Sequence, residues 1–167
     1  MGLTLFLAGC GGGGSPSGHD NSTPSSPTAP SNPSPSNAAI VQSIIDLTNA
    51  QRSQAGIPTL RVNANLNTAA QLQANQIAQL KVLQHEIPGA PYPTESDRLR
   101  AAGYVAADYG ENLASDFPSA ADAVANWMTT IGVSDNVLST RFTEIGAGYA
   151  TDSAGVPYYV AVFARPG

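Results

Sequence analysis

The chain closes on two apolar runs, residues 142–151 and 157–164, separated by Asp152-Ser153-Ala154-Gly155. Thr143, Ile145, Ala147 and Tyr149 share one face of the first run. In the second, Tyr158, Val160 and Val162 stand opposite Tyr159, Ala161 and Phe163. Period-two alternation on both sides of a turn sequence predicts an antiparallel hairpin. Gly146 and Gly148 strip side chains from one face of the first strand, which leaves room for a helix lying directly on the sheet. Any fold for this chain must supply that helix.

Helical spacing upstream supplies several. Ile40, Val41, Ile44, Ile45 and Thr48 form one apolar stripe, with Ser36 or Asn37 able to cap its start. Gly56 in a left-handed cap and Pro58 end that helix, and Asn49 and Arg52 near its end read as local capping and surface pairing. Residues 57–62 read as an extended link. A second helix is expected over residues 64–83, buried through Leu66, Ala69, Ala70, Ile77 and Leu80. Thr94-Glu95-Ser96-Asp97 resembles a capping box opening a short helix that Gly103 stops, with Arg98 as a structural ion-pair partner. Gly110-Glu111-Asn112 falls on a short strand or turn. Ser119-Ala120-Ala121-Asp122 resembles a second capping box, whose helix runs through Trp127, a core residue, and Ile131 to Gly132. Residues 134–138 read as a turn or single helical turn. Three or four helices with a small antiparallel sheet make an α+β or a layered α/β/α domain.

The N-terminal part has a different composition. Residues 1–9 are apolar but far too few to span a bilayer, which takes about 20. They read as the remnant of a signal peptide. Leu7-Ala8-Gly9-Cys10 resembles a bacterial lipobox, in which the Cys becomes the lipidated first residue of the mature protein. No basic residue precedes the apolar run. Residues 11–37 are Gly, Ser, Pro, Thr and Asn with hardly an apolar side chain, too little to offset the entropy of ordering, so they read as a disordered tether. His19 lies within it as a solvated residue. The organisation expected is therefore 1–9 signal remnant, 10–37 lipidated Cys and tether, and 38–167 folded domain. The partner expected at Cys10 is a membrane, and the location a bacterial cell envelope, facing the extracytoplasmic space.

The totals exclude some functions. A net charge of −5 argues against nucleic acid, which demands clustered Lys and Arg. With a single Cys there is no internal disulfide framework, and folding rests on a core. No G-x-S-x-G or H-E-x-x-H phrase is present, so no ready-made hydrolase machinery can be read. The best pair of chemical side chains is His85, on the loop after the second helix, and Glu111, a carboxylate between Gly110 and Asn112.

Several phrases then converge in order: Asn49-Ala50-Gln51-Arg52, His85, Arg98 with Ala102-Gly103-Tyr104, Gly110-Glu111-Asn112-Leu113, Trp127-Met128, Asn136-Val137-Leu138, and Phe142-Thr143-Glu144-Ile145-Gly146-Ala147-Gly148-Tyr149. This ordered set resembles the CAP superfamily, which includes cysteine-rich secretory proteins, antigen 5, pathogenesis-related proteins and bacterial SCP-like extracellular proteins. The resemblance covers residues 38–165. It implies an α-β-α sandwich with a large cleft, which often holds two His and two Glu able to bind a divalent metal such as zinc. His85 matches the first His and Glu111 the Glu of the G-E-N phrase. Where the second His is expected, after Gly132, this chain has Val133. Zinc takes at least three protein donors, and an isopropyl group donates nothing. The metal site, His85 and Glu111 alone, is therefore expected to be degenerate and to bind zinc weakly at most, unless Glu86, Asp135 or Glu144 contributes; no cofactor is expected. The cleft is read as lined by His85, Glu111, Asn112, Asp135, Asn136 and Glu144. Its expected function is binding of a lipid, glycan or protein ligand, with a hydrolase that depends on a metal or on His85 and Glu111 as the alternative.

Overall fold

The computed structural model describes residues 35–167. The lipobox with Cys10, His19 and the tether up to residue 34 lie outside the described residues. From there the chain runs through α1 (Asn37–Gln54), β1 (Arg61–Val62), α2 (Ala64–Leu80), α3 (Glu95–Ala101), β2 (Ala106–Ser115), α4 (Ala120–Thr129), α5 (Ser134–Leu138), β3 (Glu144–Thr151) and β4 (Pro157–Pro166).

Local chemistry sets most of these boundaries. Ser36 caps α1 by accepting the Ala39 N–H, and Gly56 follows the helix at φ 71°. Thr94 and Asp97 make a complete capping box for α3, with Gly103 at φ 74° beyond its end. Ser119 caps α4 through the Asp122 N–H. Two helices stop earlier than their apolar patterns suggest. α2 ends at Leu80 because Lys81 turns left-handed at φ 55° and its ammonium meets Asp152, 3.6 Å away in the β3–β4 turn. α4 ends at Thr129, where the Thr129 and Thr130 hydroxyls both donate to the Asn126 carbonyl and compete with helical bonding.

The sheet order is β1-β3-β4-β2. β3 and β4 form the antiparallel hairpin, with Tyr149 opposite Tyr159, and Asp152 Oδ1 closes its turn by accepting the Ala154 and Val156 N–H groups. Two further strands flank that pair. The link at Arg61–Val62 pairs parallel with β3, and the segment around Gly110 is a ten-residue strand antiparallel to β4. Its small and polar residues carry little of the alternation that reveals a strand.

α2 covers one face, packing Leu66, Ala69, Ala70, Ala74 and Ile77 on Val160, Val162 and Ala164. A Cβ on Gly146 would lie 2.1 Å from the Leu66 backbone, and one on Gly148 2.4 Å from that of Ala70, so both glycines are needed for this contact. α1 and α4 cover the other face, where fully buried Trp127 joins Ile44, Ile45, Ile145, Ala161 and Phe163. Side chains cover the sheet's open edges, which would otherwise invite further strands. Asn67 and Gln71 of α2 bond the Ala147 and Tyr149 backbone of β3. On β2, Trp127 Nε1 donates to the Leu113 carbonyl at 2.9 Å and Asn136 Nδ2 to that of Glu111 at 3.3 Å. Arg52 is no surface residue. It is 1% exposed and donates to the Pro58, Val137 and Ser139 carbonyls, each at 2.8 Å, tying α1 to the segment before β3.

Candidate functional site

Glu111 stands on the edge strand β2 opposite Val162, so its side chain projects on the α2 side of the sheet. Gly110 precedes it because a Cβ there would come within 2.8 Å of Asn136 Oδ1 and 3.2 Å of the Phe142 ring. The Glu111 carboxylate is fully buried, and Arg98 of α3, also fully buried, holds it: Nη2 lies 3.0 Å from Oε2 and 3.2 Å from Oε1.

His85 completes this cluster, with Nδ1 3.0 Å from Glu111 Oε1. Its loop is pinned from below. Gln73 donates to the Gln84 carbonyl, Gln76 makes two bonds to the Tyr92 backbone, and Arg98 donates to the His85 and Tyr92 carbonyls. The imidazole side chain stays 61% exposed. A carboxylate can only accept here, so Nδ1 carries the proton and Nε2 is the free nitrogen. The hydrogen bond to Glu111 raises the His85 pKa, opposed by partial burial and by the Arg98 charge.

Glu95, on the first turn of α3, is a fourth member that the sequence did not single out. Burial, then the charge of Glu111, push its carboxyl up to about 8, against the pull of Arg98. Its Oε1 and the Nε of Arg98 are both buried without a partner. In the sequence Glu95 sits inside a capping box, where an acid in the first turn already has an explanation.

The other expected cleft residues lie elsewhere. Asn112, one residue on from Glu111, points to the opposite side of the sheet; its amide donates to the Val133 carbonyl and its Oδ1 accepts from Asn136. These two asparagines brace the loop between α4 and α5 against β2. Val133 is half-buried and packs against the α1–α4 core, while Asp135 is exposed on α5. Glu144 belongs to a separate cluster, 2% exposed and held by Tyr104 at 2.8 Å, Asn63 at 2.7 Å and Arg61. Burial alone would raise its pKa, but those three donors hold it below the usual carboxylate range. Glu86 is exposed on the His85 loop.

Of the donors expected for a metal, Glu111 has both oxygens on a guanidinium and Val133 has none to give. Among the described residues no group of three or more His, Cys, Asp or Glu is placed to hold an ion. The donor set does not fit zinc as it stands. A hollow of about 560 Å³ opens away from this cluster, between the starts of α1 and α4, lined by Ile40, Leu47, Pro118, Ala120, Tyr149 and Tyr159. Neither His85 nor Glu111 borders it.

A four-stranded sheet between α2 on one side and α1 with α4 on the other, with a His–Glu pair at its β2 edge, defines an α-β-α sandwich domain of the SCP type. Residues 45–163 match the CAP cysteine-rich secretory protein family, and the chain belongs to that family. It is 28% identical over 131 residues to a Bacillus subtilis protein named Uncharacterized protein YkwD, an alignment covering 77% of this chain and 47% of that one. The chain thus spans about half the length of this curated relative. An extracellular SCP-domain protein from Bacillus anthracis superposes with a TM-score of 0.70 at 26% identity, over 77% of this chain and 41% of that one. An outer surface protein from Borrelia burgdorferi superposes with a TM-score of 0.68 at 16% identity, over 75% and 92%. This last likeness is one of fold.

Proposed function

We propose that this CAP domain is a binding module held at the bacterial cell envelope, with the exposed His85 imidazole as its point of contact. One observation carries the reading. The only exposed group of the His85–Glu111–Arg98 cluster is an imidazole whose Nδ1 is held by Glu111 and whose side chain is 61% exposed. Such a ring can donate or accept one directed hydrogen bond to a lipid, glycan or protein group. Among the described residues no group of three or more His, Cys, Asp or Glu stands behind it to hold a metal. Zinc binding is weak at most, since Arg98 engages the one buried carboxylate and Val133 supplies no donor. Cys10 anchors the chain through its acyl groups and the residues between it and the start of α1 act as the tether; firm anchoring by lipidation takes more than one chain. The description of the Bacillus anthracis relative as extracellular supports an extracytoplasmic location.

The contact is tested by ligand-detected NMR on the full chain with envelope lipids, wall glycans and envelope proteins offered separately. One of them should bind, and His85→Ala should weaken it at unchanged melting temperature; binding indifferent to His85 would overturn the reading. Anchoring is tested by incorporation of labelled fatty acid in a bacterial host, which Cys10→Ser should abolish.

A second reading has one observation in its favour. Glu95, whose carboxyl burial pushes up to about 8, lies near Glu111, and a carboxyl held up in this way beside a second one suits the acid of an acid–base hydrolysis. Turnover of a glycan or ester that is lost in both His85→Ala and Glu95→Gln would establish it.

A further inference from the structure

We propose that Arg98 is the resident cation of this site: its guanidinium takes, against Glu111, the place that a bound divalent ion would need, and by neutralising that carboxylate it makes Arg98 the positioning residue for His85. The reasoning is a count of lone pairs. A carboxylate offers about four acceptor positions. Arg98 Nη2 reaches both oxygens of Glu111 through one shared hydrogen, its other hydrogen going to the His85 carbonyl, and His85 Nδ1 takes a second position on Oε1. One position is left, on a side chain with no exposure at all. An incoming ion would have to displace the guanidinium to gain a two-oxygen grip.

The charge balance points the same way. A buried carboxylate is costly without a counter-charge, and a guanidinium is a planar cation shaped to supply one. The same nitrogen that binds Glu111 also donates to the His85 carbonyl, so one guanidinium fixes both the acceptor of the imidazole and the backbone that carries it. No other cation bonds Glu111 among the described residues apart from His85 itself. α2, which packs against α3, carries no charged side chain. The inference goes beyond the binding reading and does not depend on what His85 contacts.

The test uses the full chain and reads the two imidazole nitrogens of His85 by ¹⁵N NMR. The wild type should show a single tautomer with the proton on Nδ1, unmoved by added zinc. Arg98→Ala should lose that tautomer preference, and free guanidinium at millimolar concentration should restore it while urea, its neutral isostere, does not. In Arg98→Met, where Glu111 is released and Glu95 stands near it, zinc should shift the His85 resonances. An Arg98→Ala protein that keeps the wild-type tautomer, or is restored equally by urea, would overturn the proposal. Should both single variants fail to fold, Arg98→Met/Glu111→Gln decides, because removing both charges leaves none uncompensated. That protein should fold with His85 in mixed tautomers; if it stays unfolded or keeps the wild-type tautomer, Arg98 is scaffold only.

Discussion

His85 Nδ1 and Glu111 Oε1 lie 3.0 Å apart although 26 residues separate them in the chain. The bond makes the imidazole easier to protonate in the folded protein than in the unfolded chain. A group whose pKa is raised by folding adds stability that is fully present below its unfolded value and is lost as pH rises through the folded one.

For His85 the window therefore opens near the ordinary imidazole value, about 6.5, and extends upward. Wild type should lose stability relative to His85→Gln as pH rises from 6 to 8. Urea denaturation of both proteins across that range measures it, and parallel curves would refute the raised value. Because the ring is largely exposed, the difference should be small.

Glu95 obeys the same sign over a different range. Its folded value of about 8 exceeds that of an unfolded carboxyl, so the native state keeps a proton that the unfolded chain has already released. Stability should fall as pH climbs from the ordinary carboxylate range, about 4.3, to about 8, and level off above. Glu95→Gln should flatten that slope and be more stable than wild type at pH 8. Carboxyl ¹³C titration of Glu95 checks the cause independently, and a midpoint below 6 would remove it.

The glycines under α2 permit no side chain. A Cβ at Gly146 would come within 2.1 Å of helix backbone, which cannot move aside without lifting α2 from the sheet. Gly146→Ala should cost at least the ~1–3 kcal/mol typical of overpacking, and Gly148→Ala a similar amount. Gly155→Ala, with open space around its Cβ position but φ at 83°, should be milder. Thermal melts of the three variants give the order.

Arg52 donates to three carbonyls from a nearly inaccessible position. Arg52→Met would fill much of the volume and leave those carbonyls without their donor. At about 1–3 kcal/mol for each buried group left unsatisfied, the total should reach several kcal/mol, read as a lowered denaturant midpoint. Arg52→Lys, with one ammonium for three acceptors, should fall between.

Much of this fold was legible because its signals are local. Ser36, Thr94 and Ser119 announce helix starts through hydroxyls three residues from the N–H groups they accept from. Asp152 to Gly155 announces the hairpin in the same way. Less was legible where a residue's partner is distant. Arg52 in a last helical turn resembles an ordinary surface arginine, and only the fold brings Val137 and Ser139 to it. β2 escaped notice beyond a short stretch because Ala106, Asp108 and Gly110 have no apolar alternation, and β4 supplies the pairing that makes them a strand. Glu144 reads as a neighbour of the cleft from its place in the Phe142–Tyr149 phrase, yet its hydrogen bonds go to Tyr104, Asn63 and Arg61.

By itself the sequence determined the layers of this protein: which stretches are helices, which form the hairpin, and which face of β3 must be bare for α2. These follow from periodicity, caps and side-chain volume, all of which act over a few residues. It also singled out His85 and Glu111, because ionisable side chains are scarce in this chain. Tertiary structure alone decided that both oxygens of Glu111 face Arg98 and that burial pushes the Glu95 carboxyl up. Charge interactions and desolvation depend on distance in space and on exclusion of water, and neither is set until the sheet, α3 and the His85 loop have closed on one another.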